Sequence, residues 1–98
     1  MTQAYTHSVW VVKPGLEADF VERWRELAAW SAAQGLAERA TLLRDVDQPN
    51  RFVSFAPWLS LENVTRWRSA EGFHERIGRL QEVLESFEPH TLEQVVQT

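Results

Sequence analysis

The chain contains no cysteine. Disulfides, thiolate nucleophiles, thiolate metal sites and iron–sulfur ligation are therefore excluded, and a chain without disulfides fits a reducing cytoplasm. No apolar run approaches the roughly 20 residues needed to cross a bilayer. The opening residues, MTQAYTHSVW, lack the basic-then-apolar pattern of a secretory signal, so neither membrane association nor export is expected. Positive charge is scarce: 10 basic residues stand against 14 acidic ones, for a formal net charge of −4. Nucleic acid is thus not an expected partner, because its phosphates usually require a basic face. The 3 histidines are scattered without H-x-x-x-H spacing, so no metal site is expected. No Asp/Glu pair reads as an acid–base couple.

What the chain has in excess is aromatic surface, with 5 Trp and 5 Phe among 98 residues that are 44% apolar. One domain over residues 1–98 is expected. A chain of this length buries only about two-thirds of the surface its unfolded form exposes. Such a load therefore implies an aromatic core, a surface covered by a partner, or both; both are expected.

Residues 51–77, RFVSFAPWLSLENVTRWRSAEGFHERI, hold the centre of the chain. They open as a strand over residues 51–58, rich in aromatic and β-branched residues. The chain breaks at Pro57 and restarts at Ser60, a candidate N-cap for a short helix over 61–68. Ser69 is a candidate cap for a longer helix running to about residue 86, with the stripe Phe73, Ile77, Leu80, Leu84 and Phe87. Gly72 and Gly78 weaken that helix by up to about 1 kcal/mol each, which close approach of a neighbour would explain.

Before this centre, residues 5–12 read as a first strand. Alternation sends Tyr5, His7, Val9 and Val11 to one face and Thr6, Ser8, Trp10 and Val12 to the other. Lys13-Pro14-Gly15 ends it. A helix over residues 16–34 places Leu16, Phe20, Trp24, Leu27 and Ser31 on one face, with Gly35 as its stop. Residues 37–46 read as a second strand, joined to the third by the turn residues Asp47 to Asn50. After Pro89, residues 90–97 read as the last strand.

The order β-α-β-β-α-α-β gives an α+β, ferredoxin-like fold: a four-stranded antiparallel sheet with helices on one face. The face carrying Val9 and Val11 is left with nothing from its own chain to cover it. Such a patch is unusual on a monomer, so a homodimer packed sheet to sheet is expected.

KPG at residues 13–15, LLRDVDQPNRFVSF at 42–55, and the pattern Trp58, Ser60, Glu62, Asn63, Trp67 followed by Phe73 resemble the antibiotic biosynthesis monooxygenase superfamily. The resemblance spans about residues 5–97 and specifies fold more than reaction. It implies a dimeric α/β barrel of two facing sheets, with a pocket in each subunit between sheet and helices. The reaction it implies is oxygenation of an aromatic quinol or phenol by O2 without metal or flavin, so no cofactor is expected. A haem-degrading branch is also implied as a weaker alternative. There the Asn of the first strand falls on Ser8, the Trp of the short helix is retained as Trp67, and the His ligand falls on Ile77. Isoleucine cannot ligate iron, and His74, one turn earlier, would be an improvised substitute.

The candidate substrate-binding residues are Ser8, Trp10, Trp58, Trp67, Phe73 and Ile77. Trp58 and Trp67 read either as a sandwich for a flat aromatic ligand or as core. Trp24 and Trp30 read as packing. The candidate catalytic residues are His74, as a general base of the imidazole type, and Arg66, whose charge could stabilise a quinolate or peroxide. For each, an exposed helical side chain is the reading favoured over catalysis. Arg44 is a further possible clamp. His7 is expected on the dimer face and His90 at the surface. A non-catalytic, ligand-binding or accessory dimer remains the competing reading.

Overall fold

The computed structural model describes residues 3–35, 37 and 39–98. Strand β1 (Ala4–Val12) leads into helix α1 (Glu17–Ala33), and β2 (Thr41–Arg44) and β3 (Arg51–Trp58) form a hairpin. Helices α2 (Leu61–Ser69) and α3 (Glu71–Gln81) then return the chain to β4 (Leu84–Glu93). The four strands make one antiparallel sheet in the order β2-β3-β1-β4, as the ferredoxin-like reading expected.

Alternation along β1 falls as the sequence implies. Thr6, Trp10 and Val12 are buried, while Tyr5, His7, Val9 and Val11 are only half covered. β3 repeats the pattern, burying Phe52, Ser54, Ala56 and Trp58. The core joins Trp10, Val12, Phe52 and Leu84 of the sheet to Phe20 and Leu27 of α1 and Leu80 of α3. Fully burying a side chain of this size stabilises by about 1.5–3 kcal/mol. The opposite face stays open: Leu43 is 51% exposed, Leu92 47% and Phe55 38%.

Local chemistry fixes the joints. In the β2–β3 hairpin, Asp45 accepts the backbone N–H groups of Asp47 and Gln48 and pairs with Arg51. Ser60 caps α2 by accepting the N–H of Asn63 at 3.1 Å. Ser69, expected to cap α3, instead ends α2 and donates to the Thr65 carbonyl. Ala70 holds the cap position of α3 with no side-chain bond. Gly72 has the expected close neighbour, since a Cβ there would lie 2.5 Å from the Trp30 ring; Gly78 has none within 4 Å.

Two boundaries differ from expectation. β2 is four residues long rather than ten, and residue 38 lies outside the described residues. α3 ends at Gln81 rather than near residue 86, and β4 begins at Leu84 rather than near residue 90. The cause is a register shift opposite Val11 and Val12, where Val11 faces Ser86 but Val12 faces Leu84. A bulge adds one residue on that strand. It brings Leu84 and Phe87, three apart, into the same core as Trp10. That spacing imitates a helix. Pro89 consequently sits inside β4, an edge strand, where a residue without an N–H is tolerated. Among the described residues no helix is long and apolar enough to cross a membrane.

Candidate functional site

Between the sheet and the helices lies a cavity of about 530 Å³, within the range of small-molecule sites. Ser8, Trp10, Trp58, Trp67, Phe73 and Ile77 all line it. The structure thus brings the six expected binding residues together. Arg66 and His74 are not among the lining residues, and both side chains are exposed. Arg44 packs its guanidinium over Phe52, 5.1 Å from the ring centre, away from this cavity.

The tryptophans are core and wall at once. Trp58 and Trp67 meet with ring centres 4.9 Å apart and planes tilted by 50°, which leaves no gap for a ligand ring between them. The sandwich expectation is corrected to a continuous wall, extended by Phe73 at 4.5 Å from Trp67. Across the cavity Trp10 stacks on Phe87 at 4.4 Å. Trp24, expected only to pack, also lines the cavity, whereas Trp30 lies against Gly72 and beneath the Arg76 guanidinium.

Three of the wall tryptophans donate their indole N–H to a hydroxyl. Trp10 donates to Ser54 Oγ at 2.8 Å, Trp58 to Thr6 Oγ1 at 2.9 Å, and Trp67 to Ser31 Oγ at 2.8 Å. Ser31 in turn donates to the Leu27 carbonyl at 2.7 Å. A buried indole N–H without an acceptor costs about 1–3 kcal/mol, so these pairs fix the ring orientations. They also leave Trp10, Trp58 and Trp67 no N–H to offer a ligand. Thr6, Ser31 and Ser54 were not read as site residues in the sequence, although alternation placed Thr6 beside Ser8 and helical spacing placed Ser31 on the same face as Phe20 and Leu27.

The remaining polar groups of the lining are Ser8, Thr41 and three arginines: Arg25, which pairs with Glu22, and Arg39 are exposed, while Arg68 is half-buried. Ser8 makes no side-chain hydrogen bond among the described residues, and it lies directly opposite Ser54 on β3 and Pro89 on β4. Arg68, at the end of α2, lines the cavity and reaches β4, where it donates to Thr91 Oγ1 and to the His90 carbonyl at 3.3 Å. Partial burial disfavours its charged form and pulls its pKa below the ordinary guanidinium value. No carboxylate pairs with it among the described residues. Among the described residues no carboxylate and no imidazole lines the cavity, and no cluster of metal-ligating side chains occurs.

The architecture has counterparts among solved structures. SnoaB from Streptomyces nogalater, described as a cofactor-independent oxygenase, is 26% identical and superposes with a TM-score of 0.88 over 100% of this chain and 97% of its own. An antibiotic biosynthesis monooxygenase candidate from Bordetella bronchiseptica, 19% identical, gives 0.85 over 98% of this chain and 100% of its own. A similar candidate from Nitrosomonas europaea, 16% identical, gives 0.83 over 98% and 93%. These last two agree in fold alone. No curated protein sequence matches the chain. The sequence profile of the antibiotic biosynthesis monooxygenase family matches residues 6–79, more than half the chain, and the protein belongs to that family.

Proposed function

We propose that the protein is a cofactor-independent monooxygenase of an electron-rich aromatic phenol or hydroquinol, acting in the cytoplasm as a homodimer. The observation that carries this reading is the 530 Å³ cavity itself, walled by aromatic rings whose bonded indoles present only π surface. A flat apolar ligand fits such a box, and the likeness to SnoaB supports the reaction type.

The chemistry asks little of the protein. An ionised phenol delocalises charge onto a ring carbon, which transfers an electron to O2 and couples with the resulting superoxide. The hydroperoxide formed there loses water to leave a carbonyl. A CH2 carbon thereby becomes C=O, one oxygen atom leaves as water, and all four electrons come from the substrate. The site must stabilise the anion and keep water from the carbanion, tasks that suit preorganised donors in a dry cavity.

The dimer reading rests on the open face. Tyr5, His7, Phe55 and Leu92 border a second hollow there together with Val96 of the C-terminal tail. An apolar face of this kind is the natural surface for a second copy.

The absence of a carboxylate or imidazole from the lining among the described residues favours one competitor, a dimer that binds aromatic molecules without turning them over. Oxygen uptake decides between them. With anaerobically prepared anthrone-type and naphthohydroquinone-type phenols, the oxygenase consumes O2 well above the autoxidation rate. Tight binding with no uptake above that rate assigns the chain to the binding module. Ile77, on the cavity wall where haem-degrading relatives place a histidine ligand, disfavours the haem reading; a Soret band on haemin titration would revive it.

A further inference from the structure

We infer that the Ser8 hydroxyl and the Arg68 guanidinium form an anion-accepting end of the cavity, which holds an ionised oxygen substituent, phenolate or carboxylate, of an aromatic ligand. The inference rests on the aromatic-ligand reading above and specifies which part of the ligand points where.

Three observations converge on this end. Arg68 is anchored on Thr91 Oγ1, and Thr91 lies directly opposite Thr6 across the β1–β4 pairing. Ser8 is two residues along the same face of β1, roughly 7 Å from Thr6. The cation is thus tied to the part of the sheet where Thr6 and Ser8 project into the cavity. Second, Arg68 spends its hydrogen bonds on a neutral hydroxyl and a carbonyl. A guanidinium has five N–H donors, and these two bonds leave several without a partner among the described residues. A half-buried cation with no carboxylate partner among the described residues lacks the pairing that usually offsets desolvation. A bound anion would supply it.

Third, Ser8 is the one hydroxyl of the Thr6–Ser8–Ser54 group with no protein partner among the described residues. Thr6 and Ser54 already accept indole N–H bonds, which polarises their own O–H groups towards a further acceptor. An anionic oxygen placed here meets hydroxyl donors from the sheet and a guanidinium from α2. The ring attached to it runs along the Trp67–Phe73 wall. Bonds of this charge-assisted kind are about twice as strong as neutral ones, so charge on the ligand should dominate its affinity.

The test is calorimetric titration of the full chain with 2-naphthoate, its neutral amide 2-naphthamide, 2-naphthol and naphthalene. Wild type is expected to bind 2-naphthoate at least about tenfold more tightly than 2-naphthamide. Arg68→Met, which keeps the apolar stem, abolishes that preference, and Arg68→Lys retains part of it. Ser8→Ala weakens 2-naphthoate and 2-naphthol by about three- to tenfold while leaving naphthalene unchanged, and Ser8→Thr restores both. If the favoured anion is a phenolate, the affinity for 2-naphthol rises as pH approaches that probe's own ionisation, and Arg68→Met removes the rise. The inference is overturned if wild type prefers neither oxygen-bearing probe, or if the preference survives both Arg68→Met and Ser8→Ala. Charge discrimination without O2 uptake on any quinol upholds it while defeating the oxygenase reading. Uptake with unchanged discrimination in Arg68→Met does the reverse.

Discussion

The indole N–H of Trp67 on α2 donates to Ser31 Oγ on α1 over 2.8 Å, tying two helices of the cavity roof through one hydroxyl. Ser31→Ala removes the acceptor and leaves a partly buried N–H unpaired, at a cost of about 1–3 kcal/mol. Alanine's better helix propensity returns up to about 0.7 kcal/mol. A net loss near 1 kcal/mol is expected in urea unfolding, with weaker aromatic binding as Trp67 loses its fixed orientation.

The two α3 glycines should respond in opposite directions to alanine. At Gly72 the new methyl meets the Trp30 ring at 2.5 Å, and overpacking of this kind costs about 1–3 kcal/mol. At Gly78 nothing lies within 4 Å, so Gly78→Ala should stabilise by up to about 1 kcal/mol. Thermal melts of the two variants check the sign of each.

Asp45 makes the hairpin sensitive to acid. The Asp47 N–H leads in lowering its pKa below 3.8, joined by the Gln48 N–H and Arg51 and opposed by desolvation. A carboxylate whose folded pKa is depressed contributes stability that is present above its unfolded pKa and lost as pH falls through the folded one. Stability should therefore drop below pH 3.8 in wild type, and Asp45→Asn should flatten that part of the acid limb. An unchanged limb in chemical denaturation at pH 2 to 4 would remove Asp45 from the cause.

Leu43 and Phe55 stand on the open sheet face, on neighbouring strands. A charge at either position, as in Leu43→Glu or Phe55→Asp, should split the proposed homodimer into folded monomers. Sedimentation at micromolar concentration reads this directly, and a wild-type chain already sedimenting at 11.4 kDa would dispose of the dimer.

Arg66→Ala and His74→Ala are expected to keep turnover of any proven substrate within about twofold, since both side chains are exposed and off the cavity wall. A loss of tenfold or more in either, measured as kcat, would return that residue to the chemistry.

The faces of β1 were legible because each strand position alternates between two environments, and the Trp10–Val12 side differs in burial from the Tyr5–Val11 side. The hairpin was legible because Asp47 to Asn50 are turn formers, although Asp45, whose carboxylate accepts the turn's N–H groups, read as strand. The α3–β4 junction was not. A bulge between Leu84 and Ser86 puts core residues three apart, and a periodicity of three to four reads as helix until long-range pairing is known. Arg68 stayed hidden for a different reason: its anchors are Thr91 and His90, more than 20 positions away, and no local pattern reports a contact of that range. Arg66, two residues earlier, has the same charge but no such anchor.

Pro89 lies within β4, at the border of the sheet. A proline ring offers no amide hydrogen to a newcomer strand, so this margin presents an interrupted row of donors. Sideways growth of the sheet through this β4 edge is thereby discouraged, whereas the proposed homodimer would use the broad apolar face. Contact of that sort is used up once two copies have met, giving a closed particle instead of an open-ended one.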